Sequence, residues 1–157
     1  MCDVVVRELR AGDEETLRIL AVEAADFGDE DVAGGLTPPT KKAASALLTD
    51  PAACLWGAFA NGEVIGFVLA YVLRRRHGPE KQLFLYEIGV RRKWRRRGVG
   101  RKLMRHLEDD CRAAGITAGF LPVDERNVRA IAFYESVGWQ RLAEPNVLFR
   151  FPADPTD

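Results

Sequence analysis

No apolar run in this 157-residue chain is long enough to cross a bilayer. The longest, VIGFVLAYVL from Val64 to Leu73, has ten residues, and a helical span needs about 20. The opening residues MCDVVVREL lack the apolar core of a signal peptide, so export is not expected. Histidine is scarce: His77 and His106 are the two present, too few for a His-rich zinc site, and no metal is expected. Cys2, Cys54 and Cys111 are odd in number, far apart and without CxxC spacing. That pattern excludes a disulfide framework and suits reduced, packed thiols in a cytoplasmic protein. Net charge is missing too, since 23 basic and 23 acidic residues cancel. Repeats, low-complexity segments and a dividing linker are all absent, so residues 1–157 read as one domain.

The charges present are segregated. RRKWRRR, Arg91 to Arg97, holds six basic residues in seven, whereas Asp13 to Asp31 holds eight acidic residues and one basic, Arg18. A uniformly solvated surface mixes the signs. Segregation suits two partners of opposite charge.

Periodicity organises the rest. VVVREL reads as an opening strand over 4–9. Gly12-Asp13 caps a helix with Leu17, Leu20, Ala21 and Ala24 on one face. FGDEDVAGG reads as an acidic connection. Thr37-Pro38-Pro39 opens a second helix, with Ala44, Leu47 and Leu48 turned inward. Two apolar runs around Asn61-Gly62 predict a β-hairpin. LFLYEIGV is a strand over 83–90, followed by a helix from about Gly98 to Ala114 that stops at Gly115. ITAGFLPV is a further strand, Asn127 caps a helix closed by Gly138, and VLFRF is the last strand. Alternating elements of this kind give an α/β fold with a mixed sheet.

WRRRGVGRKLM, residues 94–104, is the stretch with chemistry in it. A dinucleotide fingerprint needs a third glycine where Leu103 stands, and a phosphate-loop motif needs Gly-Lys-Ser/Thr where the chain has Arg101-Lys102-Leu103. What remains is a glycine turn feeding a helix N-terminus with guanidiniums on the approach, an anion site by its amides and dipole. A plain helix start with exposed arginines is the alternative.

Arg95-Arg96-Arg97-Gly98-Val99-Gly100 after Ile88-Gly89-Val90, followed by Asn127, Ala130, Tyr134, Gly138 and Trp139, resembles the two motifs of the GNAT superfamily of acetyl-coenzyme A-dependent N-acetyltransferases. The order and spacing agree with that family. The resemblance implies a GNAT fold, with six to seven strands and about four flanking helices. It also implies a coenzyme pyrophosphate on the amides of Arg96 to Arg101, with Arg95 on the approach, and pantetheine paired to the backbone of Ile88, Gly89 and Val90. A bulge would splay this strand from the next. Glu87 is then the base that takes the ammonium proton, or else an acceptor that holds the substrate. Tyr134 matches the tyrosine that protonates the leaving thiolate, or else it is a core aromatic. Asn127 lies near pantetheine, or else it is a helix cap alone.

In finer detail the chain is similar to type I aminoglycoside 3-N-acetyltransferases. The similarity lies in Tyr86-Glu87-Ile88-Gly89-Val90, Ala70-Tyr71-Val72-Leu73, Asp26-Phe27-Gly28-Asp29 and Asp154-Pro155-Thr156. Glu87 replaces the usual Asp there, Asn127 stands where that subgroup has an acid, and Gly100 where it has Ala. Such a polycationic substrate calls for carboxylates, and the candidates are Glu23, Asp26, Glu87, Asp124 and Asp154. A polyamine, amino-sugar or peptide acceptor stays open, although peptide N-acetyltransferases carry a glutamate where Pro122 stands. A nucleic-acid binder using RRKWRRR with Trp94 as a stacking surface is the reading from another class, and neutral net charge weighs against it. A homodimer is left open.

Overall fold

The computed structural model describes residues 3–28 and 34–149, in two compact units, Met1–Pro122 and Val123–Asp157. Each is taken by itself. The first holds β1 (Val5–Glu8), α1 (Glu14–Val22), α2 (Ala24–Phe27), α3 (Lys41–Leu48), β2 (Ala53–Ala60), β3 (Glu63–Arg74), β4 (Lys81–Val90), a 3-10 turn (Arg92–Trp94), α4 (Val99–Ala113) and β5 (Gly119–Phe120). The second holds α5 (Val128–Ser136).

Asn61 and Gly62, with φ of 51° and 80°, close the β2–β3 hairpin through the left-handed turn that matches strand twist. The sheet order is β1-β2-β3-β4-β5. The first four strands pair antiparallel, and β5 joins β4 in parallel. The fold is therefore the expected α/β with a mixed sheet. Five strands stand among the described residues against the expected six to seven, and five α-helices against about four. ITAGFLPV contributes only Gly119–Phe120, and Pro122 has no N–H to extend a ladder. Val147 to Phe149 form no strand, with Phe149 88% exposed; Arg150 and Phe151 lie outside the described residues. The extra helix, α2, takes the end of the expected first helix, including Ala24, and reaches only Phe27 of the expected acidic connection; Ala24 and Phe27 are buried.

Pleating sorts β3 into two faces. Gly66, Val68 and Ala70 turn one way, and Phe67, Leu69 and Tyr71 the other. On the first face lies α4, with apolar residues at helical spacing: Val99, Leu103, Met104, Leu107 and Cys111, all buried. Burial pushes the Cys111 thiol up to about 11, so it stays protonated and packs as a small apolar group. On the second face Leu17 and Leu20 of α1, Phe27 and Ala44 cluster with Leu55 and Leu69. Thr40 starts α3 by accepting the Ala43 N–H on its hydroxyl at 3.1 Å, which puts the start three residues after the expected Thr37.

Candidate active site

The site grows from an irregularity in β4. Leu69 pairs with Glu87 and Ala70 with Leu85, so Tyr86 is an extra residue, a bulge that turns the strand. Past that point β4 has no paired strand on its outer side among the described residues, because β5 reaches only Leu83 and Phe84. Arg91 N–H donates to the Ile65 carbonyl at 2.9 Å. Counting back by twos from that bond makes Gly89 and Glu87 bonded partners of β3. The N–H and C=O of Ile88 and Val90 then point away from β3, toward the side without a ladder. The Val90 carbonyl fits this, since it accepts from Arg95 Nε at 3.2 Å. The expected splay is present, and its signal in the sequence was the motif alone.

After β4 the chain makes its 3-10 turn and enters α4 through Arg96 (φ 59°) and Gly98 (φ 80°). The first bond of the helix is Lys102 N–H to the Gly98 carbonyl at 3.0 Å, so the amides before it point out of the helix end. A Cβ built on Gly98 meets nothing within 4 Å. The positive φ suits glycine, and the open space leaves room for a ligand against the backbone. Arg97 lies over the Trp94 ring at 5.5 Å.

On the α1–α3 face, Glu87 and Ile88 border a cavity of about 290 Å³ within the first unit, walled by Leu17, Leu20, Ala24, Phe27, Leu47 and Leu69 among others. Glu87 is exposed and is the single charged residue lining it among the described residues. Gly89 is small for a reason: a Cβ there would stand 2.6 Å from the Phe27 carbonyl oxygen, so α2 packs directly on β4.

Glu23 and Asp26, also predicted as acceptor carboxylates, lie away from this cavity. Glu23 and Asp26 both pair with the Arg91 guanidinium, which is 14% exposed, sits over the Phe27 ring and donates from Nε to the Val64 carbonyl at 2.7 Å. Burial works against the Asp26 charge, but Arg91 and the Arg92 N–H hold its carboxyl below the usual range. Together these groups line a separate cleft of about 430 Å³. Asp124, in the second unit, is held at about 2 by Arg126. Asp154 lies outside the described residues. In that second unit Asn127 Oδ1 accepts the Ala130 N–H at 3.1 Å and caps α5. Tyr134 packs against Phe133 and Trp139, and burial pushes its phenol up, which keeps it a proton donor at neutral pH.

Two residues near Glu87 were missed by sequence reasoning. Tyr71 meets Tyr86 edge-on at 5.8 Å. Its phenol is pushed up by burial first, then by Tyr86, Asp50 and Glu87. The bulge is what turns Tyr86 beside Tyr71, and a pattern of period two does not reveal it.

The pattern of the Acetyltransferase (GNAT) family matches residues 19–139. The chain belongs to that family. GNAT enzymes take their acetyl group from acetyl-coenzyme A, and the open Gly98 turn and unladdered end of β4 fit such a ligand. Among relatives, the N-alpha-acetyltransferase RimI of Mycobacterium tuberculosis is 35% identical over 86 residues, 55% of this chain and 51% of that protein. The [ribosomal protein bS18]-alanine N-acetyltransferase of Escherichia coli K12 is 33% identical over 79 residues, 50% of this chain and 49% of that protein. The chain spans about half the length of the curated relatives it matches. Among solved structures, the aminoglycoside acetyltransferase meta-AAC0020 from an uncultured soil metagenomic sample, in complex with sisomicin, superposes with a TM-score of 0.83 at 20% identity. That match covers 96% of this chain and 97% of the other. AAC(6')-Iy in complex with a bisubstrate analog gives 0.72 at 17%, covering 96% and 99%. At these identities the likeness is one of fold. Among the described residues no group of three His, Cys, Asp or Glu could hold a metal ion, and no helix is long and apolar enough to cross a membrane.

Proposed function

We propose that this GNAT chain is an N-acetyltransferase working by direct attack of an amine on the thioester, with both units serving one domain. The observation that carries the reading is Glu87, exposed on β4 immediately before the stretch whose edge away from β3 has no paired strand among the described residues. In this reading the amides of Arg96 to Arg101 and the dipole of α4 hold the pyrophosphate, aided by Arg95, and Ile88 to Val90 pair with pantetheine. Asn127 is a further coenzyme-binding residue in this reading. When bound, the coenzyme supplies the thioester carbonyl. Glu87 takes a proton from the acceptor ammonium, because only the neutral amine has a lone pair to attack with. The nitrogen bonds to the acetyl carbon, the Ile88 N–H stabilises charge on the carbonyl oxygen, and the carbon–sulfur bond breaks. Tyr134 protonates the departing sulfur.

For the acceptor we propose an aminoglycoside amine, at the 3-N position. Strand and tail wording and full-length fold neighbours that are aminoglycoside acetyltransferases support it. Glu87, at the edge of the cavity, is the carboxylate for the reacting amine, and Glu23 and Asp26 pair with Arg91. A peptide α-amine is the second reading, supported by the identity to RimI and the bS18 enzyme.

Thiol release from acetyl-coenzyme A tests this against aminoglycosides, polyamines and peptides. Glu87→Gln is expected to lower turnover about 10²-fold, with partial rescue as pH rises and more amine is already neutral. Tyr134→Phe keeps the ring and is expected to cost about 10²-fold in turnover at unchanged coenzyme affinity. Full activity in either variant removes that residue from its role, and turnover of peptides with none of aminoglycosides overturns the acceptor assignment.

A further inference from the structure

The cavity beside Glu87 is chemically one-sided. Its walls are mostly leucine, alanine and phenylalanine side chains from α1, α2, α3 and the sheet, and among the described residues its one charge is the Glu87 carboxylate. Such walls offer nothing to the hydroxyls of a sugar, and a hydroxyl buried there would forfeit its water without compensation. Among the described lining residues no second carboxylate meets a second ammonium, and Glu23 and Asp26 face Arg91 in the other cleft. At about 290 Å³ the cavity is near the small end of ligand pockets, which begin at roughly 300 Å³. It suits a short alkyl chain or one ring.

We infer that this cavity takes the apolar substituent of an acceptor amine, so that the chain also acetylates amines with an aliphatic or aromatic body. The ammonium meets Glu87 and the apolar body fills the space under α1 and α3. The inference rests on the acetyltransferase reading with Glu87 at the amine, and it holds whether or not aminoglycosides are also acetylated.

Primary n-alkylamines from propylamine to hexylamine, assayed by thiol release from acetyl-coenzyme A, read the cavity directly. Each added methylene is expected to raise kcat/KM about fourfold, the worth of one buried CH₂, with a plateau once the cavity is full. Ala43→Phe on α3 and Ala21→Phe on α1 narrow the cavity from two sides and are expected to flatten that slope. Coenzyme affinity by calorimetry and circular dichroism identify which variants are folded. A flat or falling slope in the wild-type chain, alongside turnover of an aminoglycoside or peptide, overturns the inference and spares the acetyltransferase reading. A rising slope that persists in both folded variants overturns the cavity as its origin. Coenzyme binding without turnover of any amine overturns both.

Discussion

On one face of the sheet α4 lays Val99, Leu103, Met104 and Leu107 against the strands, each no more than 2% exposed. On the other face three short helices, none longer than nine residues, cover the strands and leave a cavity of about 290 Å³. The same sheet supports both. A single 15-residue helix presents a continuous stripe that interdigitates with a pleated surface. Short helices separated by turns meet the sheet at separate places and leave space between their ends. The filled face fixes the helix whose N-terminus receives the phosphates in the proposed function, and the open face supplies room for an acceptor. Binding rigidity and substrate space are thus divided between the faces.

Cutting equal volumes from the two faces sharpens the contrast. Leu107→Ala removes a fully buried side chain and is expected to cost about 3–5 kcal/mol, because a tight site keeps the hole it is given. Leu20→Ala, beside the existing cavity, is expected to cost about 2 kcal/mol, since part of that side chain already lacks packing partners. Urea unfolding of both variants measures the difference. Equal costs would show the faces to be packed alike.

A smaller effect is expected at the entrance to α4. Gly98→Val puts a branched side chain at a left-handed φ of 80° and into the open space over the turn. Coenzyme A affinity by calorimetry should fall about tenfold, about 1.4 kcal/mol, while the fold on the α1–α3 face persists. Unchanged affinity in the folded variant would move the phosphate site away from this turn.

The smallest effect concerns what ties α1 to the sheet. Arg7 donates to both Asp13 oxygens at 2.9 and 2.7 Å, and the Arg10 N–H adds a third bond at 2.8 Å. The Arg7 guanidinium holds the Asp13 carboxyl below the usual carboxylate range. A native value depressed below the unfolded one of about 3.9 gives stability that is present above that pH. It is lost as pH falls through the native value. Wild type is therefore expected to lose under about 1 kcal/mol more than Asp13→Asn when urea unfolding is taken from pH 5 to below 3. Parallel losses would show that this pair contributes nothing.

Local chemistry made much of this molecule legible from residues. Asn61-Gly62 specified a hairpin because few residues accept its backbone angles, and Leu103 and Leu107 specified the buried stripe of α4 through a period that only a helix satisfies. The glycine turn of the candidate site was equally plain, since the left-handed φ of Gly98 belongs to its own backbone. The acidic excess from Asp13 to Asp31 was legible as charge but not as function. Whether a carboxylate faces a substrate or an arginine 65 residues away, as Asp26 does, depends on where the chain returns. Tyr86 shows the same limit, because its bulge arises from two strands in register and not from either alone. The family and the glycine turn followed from sequence, where short-range geometry dictates residue choice. The cavity and the pairing of Glu23 and Asp26 with Arg91 were decided by tertiary structure, because both are relations between segments that only packing brings together.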